Sequence, residues 1–372
     1  MGAMRITAVY RVASAAEDID AKAHSLAVEQ SVEMPLDAID DERVLAEIAG
    51  KVESIEPVSP GVYRVKVALA AATLGEEPGQ FMNMLFGNSS LHDFVTLEDV
   101  ELPSSVLRRF GGPQSGIDGL RDRAGAWDRT LTCAALKPQG LPVEALASLA
   151  GRLALGGVDF IKDDHGLADQ DYSPFIARVQ ACADAVRRAC DRTGRGTRYV
   201  PNLSGNLDQL RAQLSVISDE GLDTVVIAPM VVGLAAFHAV TREHPGIAFI
   251  AHPAMGGAAR IAPPLLFGRL FRLFGADAVI FPNHGGRFGY SPATCAAIAE
   301  AAREEWGGIA PALPVPAGGM TPARLPELLD FYGPEAMILI GGGLLSARER
   351  LTSETAAFVA RVAGLSRQEK RA

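Results

Sequence analysis

The chain has 372 residues, 48% of them hydrophobic and 21% charged, with 38 glycines, a composition that buries a sizeable core and suits two domains or a barrel with an appendage. Its formal net charge of −9 argues against nonspecific attraction to nucleic acid or an anionic membrane, and no run approaches the roughly 20 apolar residues that span a bilayer. Four cysteines, sparse and irregularly spaced, exclude a disulfide framework or zinc knuckle, so a reducing cytoplasm is expected.

Met4 reads as the natural start, after Met1–Ala3. Ile6 to Val12 then alternates as a strand does, and Ala16 to Glu29 has helical composition. Val52 to Ala71 reads as two strands about the turn Ser59-Pro60-Gly61, residues 79–87 as a helix, and Phe94 to Leu102 as another strand. This mixture without a repeat predicts an α+β domain over residues 1–125, ending near the polar stretch GIDGLRDRAGAWDR at 116–129.

From Thr130 onward the pattern changes. Eight short apolar runs follow, separated mostly by segments of helical composition: LTCAAL at 131–136, VDFI at 158–161, YVPNL at 199–203, TVVIAP at 224–229, IAFIAH at 247–252, AVIFP at 278–282, LPVPA at 313–317 and AMILIG at 336–341. Strands alternating with helices make parallel sheet, and strands buried on both faces read as continuous apolar runs. An open doubly wound sheet could also hold eight strands, but it focuses its ligand contacts at one switch point. Here nearly every run ends in a polar residue or a glycine: Lys137; Lys162, Asp164 and His165; Asn202; His252; Asn283 and His284; Gly318 and Gly319; Gly341, Gly342 and Gly343. That ring predicts an α/β chain whose C-terminal (β/α)8 barrel, residues 126–372, follows the smaller α+β domain and carries the chemistry at its strand ends.

Lys162-Asp163-Asp164-His165 reads either as a cation site with carboxylate and imidazole ligands or as an ion-pair cluster capping a strand. An ammonium cannot bind a cation, but a lysine carbamate, formed with carbon dioxide, is an anionic oxygen ligand. Lys137, at a barrel mouth beside a cation, could move protons, or Lys137-Pro138 could be plain loop. The glycine pairs allow backbone amides to approach a phosphate, or they serve tight turns. His252 and His284 are acid–base or hydrogen-bonding groups, or satisfied core histidines. Cys133, inside a strand, reads as packing.

Together these residues resemble the RuBisCO superfamily over nearly the whole chain. GGVDFIKDDH is similar to that family's Gly-Gly-x-Asp-Phe-x-Lys-Asp-Asp-Glu segment, which implies Lys162 as the carbamate, formed with carbon dioxide, and Asp164 as a ligand of a divalent cation, expected to be Mg2+. His165 stands where the family has its glutamate ligand. Ala135-Leu136-Lys137-Pro138 resembles the Ile-Lys-Pro-Lys segment, implying Lys137 as the enolising base, with Gln139 in place of the second lysine. Asn202 matches the strand-three asparagine, and His252 matches the histidine of His-Arg-Ala-Met, with Pro253 in place of the phosphate-binding arginine. Gly318, Gly319 and Gly341 to Gly343 resemble the loops that hold the other phosphate. AVEQS and FGNSS carry over Glu29 and Asn88, residues that in the family complete the neighbouring subunit's barrel site, so a homodimer is implied.

The loop Pro282 to Arg287 lacks the family's Gly-x-Val-Gly-Lys pattern. Without that lysine and with one phosphate grip lost, the resemblance implies a RuBisCO-like, noncarboxylating protein rather than one fixing carbon dioxide. The expected function is isomerisation of a phosphorylated ketose through a metal-stabilised enediolate, foremost 5-methylthioribulose 1-phosphate in sulfur and methionine salvage, with Asn202, His284 and Arg287 touching substrate. The alternatives are a 2,3-diketo-5-methylthiopentyl-1-phosphate enolase, a decarboxylase or hydrolase of a branched keto-acid sugar phosphate, and a catalytically dead sugar-phosphate-binding regulatory module.

Overall fold

In the computed structural model, β1 (Arg5–Ala13) alternates buried and less buried residues, with Ile6, Ala8, Tyr10 and Val12 turned inward. Residues 4–369 are described, so Met1–Ala3 lie outside them. The strand is central in an antiparallel sheet with β2 (Lys51–Ser59), β3 (Val62–Ala70) and β4 (Val95–Glu101), in the order β2-β3-β1-β4. Gly61 takes φ +72° in the β2–β3 turn, the left-handed region that glycine enters without a Cβ clash. Helix α1 (Ile19–Glu29) packs on β2 and β3 with Ala23, Leu26 and Ala27 buried. Helix α2 (Pro78–Phe86) starts at Glu77, whose carboxylate accepts from the first amides of the helix. Two later stretches, 256–266 and 306–309, belong to this unit with Met1–Gly111.

The second unit comprises Gly112–Met255, Phe267–Glu305 and Ala310–Ala372. Each of the eight apolar runs holds a strand: β5 (Leu131–Ala135), β6 (Phe160–Lys162), β7 and β8 (Arg198–Val200 and Asn202–Leu203), β9 (Thr224–Ile227), β10 (Ala248–Ala251), β11 (Ala278–Pro282), β12 (Leu313–Ala317) and β13 (Met337–Ile340). Pro201 splits the third run into two pieces, because proline has no N–H for the ladder. β7 pairs with β6 and β8 pairs with β9, so the split strand joins two ladders, β13-β5-β6-β7 and β8-β9-β10-β11-β12, all of them parallel. β12 packs beside β13, which closes the ring.

Side chains at every second position fill the barrel, including Leu131, Cys133 and Ala135, then Phe160, Val200, Ile250, Ile280, Val315 and Leu339. Ile117 and Leu120, from a helix at Gly116–Ala124 within the polar stretch, join the same core. A strand's side-chain period of two carries this inner row onward at the carboxyl ends. Its next positions are Lys137, Lys162, Asn202, His252 and Gly341. No helix among the described residues is long and apolar enough to cross a membrane.

Candidate active site at the barrel mouth

The carboxylate of Asp164 gathers the centre of the site. Its Oδ1 accepts from the Lys137 ammonium and lies 3.5 Å from His165 Nδ1. Burial opposes ionisation of Asp164, but His165, Lys137 and the Lys162 charge together hold it well below the usual carboxylate range. It therefore stays an anion at neutral pH.

Lys162 is 3% exposed. Its ammonium donates to the Asp163 carbonyl, and no carboxylate makes an ion pair with it among the described residues. Burial lowers its pKa from the usual lysine range, with the Asp164 charge opposing. A lowered pKa enlarges the neutral fraction, and only a neutral amine has the lone pair that reacts with carbon dioxide.

Asp163, the next residue, faces away from the inner row. Its carboxylate is fully buried, 3.1 Å from Arg178 Nε in the helix Phe175–Thr193, and accepts from the Tyr199 hydroxyl at 2.8 Å and the Asn202 amide. Arg178 also donates to the Ser173 and Ala168 carbonyls. This cluster fixes the backbone that aims Lys162 and Asp164. The one sequence signal for it was an arginine on the apolar face of a helix.

His252 stacks face to face on His165, with ring centroids 4.1 Å apart and planes 10° from parallel. Its pKa is pushed down to about 2, by burial first and then by the Lys162 charge. The Ala254 amide donates to its Nδ1 at 3.2 Å, which leaves the neutral ring's proton on Nε2. Asn202 is buried and donates to the His165 and Leu167 carbonyls at 3.2 and 2.7 Å, while its Oδ1 has no partner. Gln139 also reaches this mouth: its side-chain amide lies against Gly166, where a Cβ would come 1.5 Å from Nε2 and oblige the glutamine to move.

A Cβ on Gly341 would come 3.7 Å from Lys137 Cε, and one on Gly343 would meet the Met320 carbonyl at 3.0 Å, so the two glycine loops are neighbours beside Lys137. Gly318 and Gly319 take φ +88° and +73°. The loop after β11 lies on them: a Cβ on Gly286 would sit 2.3 Å from the Gly318 carbonyl oxygen. His284 in that loop is buried with Nε2 unpartnered, its Nδ1 3.8 Å from Glu327. Arg324 pairs with Glu327 at 2.7 Å and donates to the His284 carbonyl. Arg287 is exposed and stacks on Phe288.

Glu29 and Asn88 lie in the first unit, joined to each other. Asn88 Nδ2 donates to Glu29 at 2.8 Å and to Glu33 at 2.9 Å. Glu33 is a residue that the sequence reading did not single out.

Among the described residues no group of three or more histidine, cysteine, aspartate or glutamate side chains is arranged to hold a metal ion. The donor that would complete such a set is Lys162: as a carbamate it would add oxygen beside Asp164 and His165.

The sequence profile of the ribulose bisphosphate carboxylase large chain, catalytic domain, matches residues 116–363. A 5-methylthioribulose-1-phosphate isomerase of Rhodospirillum rubrum is 60% identical over 361 residues, 97% of this chain and 96% of its own. A 2,3-diketo-5-methylthiopentyl-1-phosphate enolase of Geobacillus kaustophilus is 33% identical over 288 residues, 75% of this chain and 70% of its own. The crystal structure of a Rubisco-like protein from Rhodopseudomonas palustris superposes with a TM-score of 0.91 at 54% identity, covering 96% of this chain and 97% of that one.

Proposed function

This chain belongs to the RuBisCO large-chain family, in its noncarboxylating RuBisCO-like branch, and from that premise we propose that it is an isomerase of 5-methylthioribulose 1-phosphate. The observation that carries the reading is the Asp164 carboxylate held between Lys137 and His165 next to a buried lysine, an arrangement suited to moving a proton beside a ketone. The identity of 60% along nearly the full length of both chains favours the isomerase over the enolase, whose likeness is lower and shorter.

A divalent cation, expected to be Mg2+, would be held here by Asp164, His165 and Lys162 once that lysine carried a carbamate. When bound, such a cation stabilises negative charge on the substrate oxygen as an enediolate forms. The chain's own residues do the rest. Backbone amides of Gly318, Gly319 and Gly341 to Gly343 take the phosphate. Lys137 moves the proton from one carbon to another. His252, neutral with its proton on Nε2, donates to a substrate oxygen without itself changing charge. Asn202 offers its unpartnered Oδ1 to a substrate hydroxyl, and His284 offers Nε2. Pro253, where the family has an arginine, leaves room for an apolar methylthio end. Glu29 and Asn88 complete the site of a second copy, so the working unit is a homodimer.

The test is to incubate the protein with magnesium, bicarbonate and 5-methylthioribulose 1-phosphate in deuterated water and follow each carbon by NMR. Deuterium entering beside a relocated ketone is the expected result. A dehydrated product or released inorganic phosphate would move the assignment to the enolase or hydrolase, and an unchanged ketose would leave a binding module.

A further inference from the structure

Two cations near the glycine loops and the loop that rests on them are already neutralised. Lys137 is paired with Asp164, and Arg324 is paired through Nε and Nη2 with Glu327 at 3.1 and 2.7 Å. Arg287 has no carboxylate partner among the described residues; its guanidinium carbon lies 5.2 Å above the centre of the Phe288 ring. That ring is 59% exposed, yet its edge is 3.4 Å from where a Cβ on Gly318 would be. The backbone beneath is as close, since a Cβ on Gly319 would come 3.1 Å from Gly286 Cα. The chain from Gly285 to Gly289 therefore rests on the Gly318-Gly319 loop and carries an uncompensated guanidinium at its tip.

A phosphate monoester is close to a dianion at neutral pH, and the glycine loops offer it only amide dipoles. A guanidinium matches phosphate oxygens with a planar fork of donors. We propose that Arg287 supplies the cationic contact to the substrate's phosphate and that Phe288 is a positioning residue, a shelf that holds the guanidinium over the Gly318-Gly319 loop. This rests on the phosphate occupying the two glycine loops, as proposed above.

The test is calorimetric titration of the whole protein with inorganic phosphate at low and high salt, together with kcat and KM for 5-methylthioribulose 1-phosphate. Arg287→Gln is expected to weaken phosphate binding and raise KM roughly 10- to 100-fold, as loss of one charged hydrogen-bonding contact does. It should also flatten the salt dependence and leave the thermal midpoint unchanged. Arg287→Lys should recover part of the loss. Phe288→Ala should weaken binding about two- to fivefold, the weight of an exposed cation–π contact, while Phe288→Tyr should behave as wild type. Gly342→Ala is the control for the loops, because its added methyl meets no protein atom within 4 Å. If Gly342→Ala weakens phosphate and Arg287→Gln does not, the loops hold the ligand alone and the Arg287 assignment falls while the phosphate site stands. If Arg287→Gln weakens binding and Phe288→Ala does not, the shelf is refuted. Wild-type protein that takes no phosphate, with Gly342→Ala unchanged in KM, removes the phosphate site and this inference together.

Discussion

The two ends of the barrel use the same residue types to opposite ends. At the amino end, Asp159 accepts both terminal nitrogens of Arg129, at 2.6 and 2.7 Å, and the amide and hydroxyl of Thr132. Asp277 accepts from the amides of Ser115, Gly116 and Phe249 at 2.6 to 2.8 Å. Both carboxylates are used up by the chain. At the carboxyl end, Asp164 shares one oxygen between Lys137 and His165, while among the described residues Lys162 has no ion partner and Asn202 Oδ1 and His284 Nε2 have no hydrogen-bond partner. Buried polar groups left unsatisfied cost stability unless something else meets them. The amino end carries one such atom too, Arg123 Nε, but it lies 3.7 Å from the Asp223 carboxylate. The contrast is therefore between charges that are paired at the amino end and polar atoms at the mouth that are left for a ligand under the function proposed above.

The largest effect should come from Lys162→Met. If the mouth is functional, activity falls by on the order of a thousandfold, the weight of a lost acid–base or charge-stabilising group. Stability should hold or rise, because burial already penalises that ammonium. An active Lys162→Met enzyme of normal fold would erase the distinction between the two ends.

Arg178→Met probes the boundary between them through Asp163, the neighbour of Asp164 in the chain. It strips Asp163 of its buried partner and should destabilise the protein by about 3–5 kcal/mol in urea unfolding. Lys137→Met removes a partly exposed partner and should cost stability no more than about 1 kcal/mol while losing turnover. Equal stability losses in the two variants would mean that Asp163 and Asp164 do not differ as their surroundings imply.

Acid sharpens the contrast further. The folded-state pKa of His252 is pushed down to about 2, against an ordinary value of 6.5, so below that ordinary value the unfolded chain takes up a proton that the folded chain refuses. The stability tied to this group is full above pH 6.5 and is lost as pH falls toward about 2, at a limiting slope of about 1.4 kcal/mol per pH unit. His252→Asn should therefore flatten the fall in unfolding free energy between pH 6 and pH 4. An unchanged slope would show that the ring is not held neutral.

Much of this was readable from local pattern. The eight barrel strands announce themselves because doubly buried parallel strands are continuous apolar runs, and period-two alternation turns Lys137, Lys162 and His252 toward one interior. What could not be read depends on partners far apart in the chain. LysAspAspHis at 162–165 reads as one cluster in sequence, yet the strand turns Asp163 toward Arg178 and Tyr199 and its neighbours toward the mouth. The stacking of His165 on His252 joins residues in different strand-end loops. The helix at Gly116–Ala124 lies in a stretch too polar to show a face, because its inward residues include Arg121, whose guanidinium is satisfied by the Ala126, Arg129 and Pro334 carbonyls.

The smallest effect is the most discriminating. A methyl added to Gly116, below the barrel, would meet protein, its Cβ 2.9 Å from the Pro311 carbonyl. At Gly342 it meets nothing within 4 Å. Gly342→Ala should raise stability by about 0.4–1 kcal/mol through the unfolded chain alone. If a phosphate belongs in that space, KM should nonetheless rise a few fold with kcat little changed, since the methyl displaces an anion that needs the Gly342 amide close by. Stability gained with KM unmoved would mean that the space by Gly342 is solvent, and that the mouth's phosphate end lies elsewhere.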